Sequence, residues 1–522
     1  MLHREPQQIR QGGYAAAMHD ELSDESFSPV AALEIDPSRA LIYEHGWQSW
    51  SPAGAYRPGE DSPRPKLART QIMGFRPGSP VPRAVFQGEG LLAVDPGDGG
   101  PVEIFSSPDP WHAVASIRAR AHEGRVVVSA NGPVERRTSR EHERLGAALG
   151  SWATEVAARR TGSRSPAHLG PPVELRPLDP MWCSWYCLWR GVTAPDVAAA
   201  ISGIDRAGLE VRVVQVDDGW QAGIGDWDEV REGFGDLGSL AGRIRDGGRA
   251  AGIWVAPFLV GSESRLARTH PDWLVGAADA GENWEQRLGV LDVTHPEAAA
   301  YLTTSLRALV DMGFDLFKLD FLYGGAIEGR RHADCSGLDA YQEGMRVVSE
   351  AIGRGPTLLG CGAPLLPSIG WVHAMRIGPD IAPWFAPPEG DLSLPGGLSA
   401  RLATRARAFA HGRFWVNDPD CLLARPGVER RQAWASLLGR MPGTLAAFSD
   451  LPDELDPWGI DAVRRLLRPA TTTPLDIDLD ELLAPEDLDD LPARDGREAL
   501  DTGDNDTANR DTANRDARAS GA

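Results

Sequence analysis

Cysteine is scarce, with five in 522 residues, an odd number spread over a long chain. That argues against a disulfide framework, and reduced thiols are expected. Cys183 and Cys187 lie four apart, and His332 lies three before Cys335. Neither pair is joined by a second at zinc spacing, and structural zinc needs four converging ligands, so no metal is expected. Long apolar runs are missing as well. None approaches the roughly 18 residues of a membrane span, and MLHREPQQIRQGG at the start has no apolar core of signal-peptide length. The expectation is a soluble, cytoplasmic protein with no membrane partner. Positive charge is the minority sign, 53 Lys and Arg against 74 Asp and Glu, for a net charge of −21. Such a balance opposes phosphate backbones and makes nucleic acid a poor partner. Tyrosine is sparse, at seven, beside 17 tryptophans. Tryptophan suits the C–H faces of sugars but also fills cores, so composition leans toward carbohydrate without deciding it.

The texture of the chain changes along its length. Residues 1–29 read as an N-terminal extension. From 30 to 175 short apolar runs such as RALIYEHGW, GLLAVD and GRVVVSA alternate with Gly, Pro, Asp and Asn, the rhythm of an all-β sandwich. From 176 to 450 strands alternate with amphipathic helices. The strands are MWCSWY, VRVVQVD, AGIWVAP, DLFKLD, TLLGC, HAMRIG, RFWVND and GTLAAFSD. APDVAAAISGIDRAG and HPEAAAYLTTSLRALVDMG are among the helices, with Thr294 expected to cap the second. Eight strands with intervening helices over such a length predict a (β/α)8 TIM barrel. Residues 451–493 form a short C-terminal segment. An acidic tail, 494–522, ends in a tandem DTANR repeat and is expected to be disordered, having too little apolar area to offset chain entropy.

The most informative stretch is GFDLFKLD, Gly313 to Asp320. Strand side chains alternate with period two, so Lys318 and Asp320 point to the same side. A fixed cation favours the ionised acid, as a carboxylate nucleophile requires. Taken alone, a strand-end Lys-x-Asp is more often only a surface ion pair. VRVVQVDDGW ends in Asp217 and Asp218, however, and HAMRIGPD carries Arg376 close to Asp380. Parallel strands gather those C-terminal ends on one face, where α/β barrels build active sites. Retaining cleavage of a glycosidic bond uses one ionised and one protonated carboxyl. Asp320 fits the nucleophile. Asp380 follows a strand in a Gly-Pro turn beside Ile381, Pro383 and Trp384, apolar neighbours suited to raising its pKa for a general acid. Asp217 and Asp218, being sequential, diverge at a strand end and fit acceptors for sugar hydroxyls. Lys318 and Arg376 are donors, and Trp254 is a candidate to stack on the ring. Asp418 and Asp420 of NDPD either touch substrate or close a turn. His270 more simply fixes a loop. Ser184 and Ser264 lack nucleophile-elbow glycines, and GDGG lacks a phosphate-loop fingerprint.

In this order WCSWY, VDDGWQ, GDW, GIWVAPF, HPDW, KLDF, MRIGPD and NDPD resemble the melibiase-like α-galactosidases of glycoside hydrolase family 36, over roughly Pro180 to Asp420. The resemblance implies Asp320 as nucleophile and Asp380 as acid/base. It implies Asp217, Asp218, Lys318, Arg376, Trp254 and Trp185 around the galactose ring. GWQSWSP, Gly46 to Pro52, resembles a loop of the family's N-terminal β-domain that reaches the barrel mouth. Trp47 or Trp50 therefore either completes the pocket or fills the core. Cys361 and Gly362 stand where many members carry a Cys-led, glycine-rich segment near the sugar 2-position. Here it reads Cys-Gly-Ala-Pro, which leaves 2-hydroxyl against 2-acetamido open. The family's closing C-terminal β-domain has too little sequence to form completely, so a homo-oligomer is possible but not readable. The expected activity is a retaining exo-α-galactosidase acting on a small carbohydrate without metal or organic cofactor. α-N-acetylgalactosaminidase and transglycosylase activities reuse the same two aspartates. A non-catalytic sugar-binding barrel is the alternative of another class.

Overall fold

The computed structural model describes residues 26–82, 85–162 and 169–475. Two antiparallel sheets come first. One runs Ser28–Glu34, Arg125–Ala130, Ser116–His122, Phe86–Glu89, and the other Gly54–Tyr56, Leu41–Glu44, Leu91–Asp95, Glu103–Ser106, Glu135–Thr138. They share a core built from alternate residues, among them Ile42, Leu92, Val94 and Phe105 from the second sheet and Phe86, Ile117, Val126 and Val128 from the first. The intervening Tyr43, Leu91, Ala93 and Ile104 belong instead to the larger core that continues through the rest of the molecule. The inner strands Leu41–Glu44 and Leu91–Asp95 of the second sheet are thus covered on both faces, which explains why they read as apolar runs, while its edge strand Glu135–Thr138 is polar and partly exposed.

The chain then forms eight parallel strands, numbered here β1 Met181–Cys183, β2 Val213–Val216, β3 Ala250–Val255, β4 Phe314–Leu319, β5 Thr357–Gly360, β6 Ala374–Arg376, β7 Val416–Asp418 and β8 Ala447–Phe448. Each of the eight expected strand segments overlaps one of them. Their order in the sheet is β7-β6-β5-β4-β3-β2-β1-β8. The sheet curls far enough for its ends to meet, with Leu445 N donating to Asn417 O (2.9 Å) and Leu422 N to Ala447 O (2.8 Å). Because all neighbours are parallel, every C-terminal strand end lies on one side.

Local signals explain the helices between them. Thr193 and Asp196 exchange side-chain and backbone hydrogen bonds at the start of helix Ala194–Ala207, and Gly208, at φ +60°, ends it. Helix Pro296–Asp311 departs from expectation, since His295 occupies its cap and accepts from Glu297 N. Thr294 turns its hydroxyl to Asp292 Oδ1 (2.6 Å) instead, a carboxylate being the stronger acceptor.

Helix Leu145–Thr161 is a larger departure, because it lies in the stretch expected to be all β. Leu145, Ala148, Leu149, Trp152, Ala153, Val156 and Arg160 are its buried side, a helical period among many alanines that the nearby strand rhythm masked. Trp152 packs edge-on against Phe409 and Phe414, joining the helix to the parallel sheet's surroundings. Past the last strand, Asp456 caps helix Pro457–Leu466 through Gly459 N (2.7 Å). The expected disordered tail and most of the N-terminal extension lie outside the described residues. Within them, no helix is long and apolar enough to cross a membrane, and the five cysteines are free thiols.

Candidate active site

A cavity of about 170 Å³ opens where the C-terminal strand ends gather. Asp217 and Asp218 reach it from the end of β2, Trp254 from β3, Lys318, Asp320 and Phe321 from β4, and Asp380 from the turn after β6. Trp185 lines it beyond β1, standing edge-on to Trp189 with ring centroids 4.9 Å apart. Further wall comes from Trp50, from Arg69, Thr70 and Met73 of helix Ala68–Met73, from Glu282 to Trp284, and from Ser393 to Pro395.

On one side a single cation holds two carboxylates. Lys318 Nζ lies 2.9 Å from Asp217 Oδ2 and 3.7 Å from Asp320 Oδ2. The lysine's nearer partner is therefore Asp217 rather than its strand neighbour. Trp254 sits opposite Lys318 in the register of β3 and β4, and its Nε1 donates to Asp320 Oδ2 (3.0 Å). Phe321 N donates to the other oxygen, Oδ1 (2.8 Å). Asp217 accepts further bonds from Gln215 Nε2 (2.8 Å) and Asp218 N (2.9 Å). Burial alone would raise the Asp217 carboxyl, but Lys318 and these donors bring it below its ordinary value. Burial likewise opposes the Lys318 ammonium, yet Asp217 and Asp320 hold its pKa well above the usual lysine range. Asp218 points away from Asp217, accepting from Gln221 Nε2 (2.6 Å) and Trp284 Nε1 (2.7 Å). Burial pushes it up to about 6 against those bonds.

On the other side one cation meets three carboxylates. Arg376 reaches Asp380 Oδ1 (2.7 Å), Asp418 Oδ2 (3.3 Å) and Asp420 Oδ1 (2.8 Å). Asp418 is its register partner across β6 and β7. Burial pushes the Asp380 carboxyl up to about 7, opposed by Arg376 and reinforced by Asp420 and Asp320. Its side chain remains 29% exposed while those of Asp418 and Asp420 are enclosed. A carboxyl raised by burial to about 7 thus opens onto the same cavity as Asp320.

The early tryptophans divide. The loop after strand Leu41–Glu44 docks on the segment after β5, with Ser49 N bonded to Ala363 O (3.1 Å) and Leu365 N to Trp47 O (3.0 Å). The buried Arg407 guanidinium fastens it further, donating to the carbonyls of Ser49 (2.9 Å), Gln48 (3.3 Å), Ser51 (2.8 Å) and Ile377 (2.8 Å). Trp50 lines the cavity edge-on to Phe321, at 4.9 Å between ring centroids. Trp47 does not. It packs with Val114 and Leu338 under the Arg76 guanidinium.

Other expected ring contacts also sit back from the cavity. Arg376 and Cys361 are buried behind it. Gly362, at φ +52°, supplies a close approach, since a Cβ there would lie 2.8 Å from the Trp50 ring. Trp254, expected to stack on a sugar, is also a hydrogen-bond donor to Asp320. Trp284 was missed by sequence reasoning. It occupies a two-residue turn with Glu285, both at positive φ (52° and 61°), between Glu282–Asn283 and Gln286–Val290. Hairpin turns of that shape favour Asn-Gly, so a Trp-Glu turn carries no local signal.

Residues 187–323 match the family model described as Melibiase. The bifunctional alpha-galactosidase/sucrose kinase AgaSK of Mediterraneibacter gnavus is 27% identical over 150 residues, 27% of this chain and 15% of that protein. An alpha-galactosidase of Escherichia coli is 31% identical over 149 residues, 26% of this chain and 21% of its own length. The matched segment therefore spans less than a quarter of the length of either relative. A solved structure, the alpha-galactosidase TtGalA from Thermus thermophilus in complex with stachyose, aligns over 85% of this chain and 94% of its own with a TM-score of 0.67 and 26% identity. The chain is a relative of the melibiase-like α-galactosidases, as its ordered motifs imply.

Proposed function

We propose that this relative of the melibiases is a retaining exo-α-galactosidase. In this reading the curled sheet is a (β/α)8 barrel behind an N-terminal β-sandwich. Asp320 is the nucleophile, with Trp254 Nε1 and Phe321 N each holding one of its oxygens so that one lone pair faces the anomeric carbon. Asp380 donates its proton to the departing oxygen and then, as carboxylate, activates water against the glycosyl ester. Asp217 and Asp218 accept from sugar hydroxyls, the axial one at C4 included. A cavity of this size takes one sugar ring, which supports action at a chain end.

The observation that carries the reading is the pairing, on one cavity, of a carboxylate held by donors with a carboxyl raised to about 7. Aryl α-galactoside, α-glucoside, α-xyloside and 2-acetamido-α-galactoside, assayed side by side, test it. Strong preference for the galactoside is expected, because a buried acceptor left without its hydroxyl costs about 1–3 kcal/mol or more. Equal rates on galactoside and glucoside would refute the substrate assignment. Early NMR spectra should show the α-anomer of the product, and a β-anomer would reject retention.

A further inference from the structure

We propose that Asp420 is a positioning residue that keeps Arg376 from stripping Asp380 of its proton, leaving Asp380 a carboxylic acid ready to protonate the leaving group. The inference rests on the acid/base role assigned to Asp380 above.

An arginine 2.7 Å from a carboxyl ordinarily holds that carboxyl ionised, lowering its pKa by about 1–3 units. Arg376 does not face Asp380 alone. Its Nη2 is paired with Asp420 at 2.8 Å and its Nε with Asp418 at 3.3 Å. One cation among three carboxylates leaves a net negative group when all are ionised, and that excess favours retaining a proton. Asp380 is the member open to the cavity, so its proton is the one a bound substrate can receive.

Asp420 is held in place for this task. Its Oδ2 accepts from the Tyr186 hydroxyl and from Ile381 N (2.8 Å), the peptide that follows Asp380, and its Oδ1 accepts from Cys421 N (2.6 Å). Asp420 N donates to Asp418 Oδ1 (2.9 Å), linking the two partners of the arginine. Asp420 also sits at φ +88°, a conformation a side-chain-bearing residue keeps only when its surroundings enforce it. The remaining charged or titratable groups around Asp380 are Lys318 and Asp320 from β4, Cys361 after β5 and Tyr186 after β1. None of them pairs with Arg376 in place of Asp420.

Asp420→Asn keeps the shape and removes the charge, its single carbonyl oxygen serving one of the two backbone N–H groups that the two carboxylate oxygens accept from. Arg376 then bears more strongly on Asp380. The pH dependence of kcat/KM on an alkyl α-galactoside, whose poor leaving group needs the acid, should show its basic limb displaced by about one unit to lower pH. The rate at pH 7.5 relative to pH 5 should accordingly fall about tenfold further than in wild type. An activated aryl α-galactoside should change little. Asp418→Asn should shift the limb the same way by less, and serves if Asp420→Asn does not fold. Isotope-edited infrared titration of the Asp380 carboxyl reads the same downward shift without substrate. An unshifted basic limb and carboxyl titration in a folded variant, or equal loss at every pH and on both substrates, would overturn the inference while leaving the α-galactosidase reading intact. A wild-type enzyme inactive on every α-galactoside would sink that reading, whatever the infrared titration showed.

Discussion

The two sides of the cavity differ in how charge is balanced. On the β4 side Lys318 serves Asp217 and Asp320, and both carboxylates also collect N–H donors. On the β6 side Arg376 is divided among Asp380, Asp418 and Asp420. Burial raises carboxyl pKa values on both sides, yet Asp217 ends below its ordinary value and Asp380 at about 7. Desolvation is common to the two, so the supply of donors and cations per carboxylate separates an anion from an acid.

The largest test removes the proposed nucleophile on the β4 side. Asp320→Gly should lower kcat by about 10³-fold or more, roughly 4 kcal/mol of transition-state stabilisation, and azide should restore turnover by replacing the missing nucleophile. Near wild-type turnover would break the assignment. Asp380→Ala removes the acid, and substrates with poor leaving groups should lose about 10²–10⁴-fold while activated aryl substrates lose much less. In wild type the acid works only while protonated, so kcat/KM should fall as pH rises through about 7, and that limb should vanish in the variant. Equal losses on both substrates would count against the contrast.

Lys318→Met tests the β4 side by stability. Stranding Asp217 and Asp320 without their buried cation should cost about 3–5 kcal/mol in urea unfolding. Little change would show that the N–H donors alone suffice. Trp254→Phe is the finest probe, deleting the donor to Asp320 Oδ2 while keeping most of the packing. A loss of about 1.5–3 kcal/mol in transition-state stabilisation is expected, with Asp380's pH limb unmoved. Displacement of that limb would show that the two sides are coupled rather than separate.

Much of this architecture was legible in the chain. Nearly continuous apolar runs such as Val213–Val216, interrupted only by Gln215, marked strands buried on both faces, and helical periods with caps marked the connections. Charged residues at the ends of three strands pointed to one face. Helix Leu145–Thr161 was not legible, because its alanine-rich pattern contrasts weakly with the strands before it. Trp284 was not either, since its turn lacks the residues that such turns favour.

Sequence by itself determined the eight parallel strands, the cluster of Asp217, Asp218, Lys318, Asp320 and Asp380 at their ends, and the same-side placement of Lys318 and Asp320, because these follow from periodicity and strand polarity. Tertiary structure decided the partners. Lys318 turns to Asp217, 101 residues away in the chain, because β2, β3 and β4 lie side by side. Trp47 enters the core while Trp50 reaches the cavity because the loop between them is fastened to the segment after β5. Arg376 faces Asp418 and Asp420 because β6 and β7 are in register. Hydrogen bonds and ion pairs act over a few ångströms in space, a distance that one-dimensional spacing along the chain does not set.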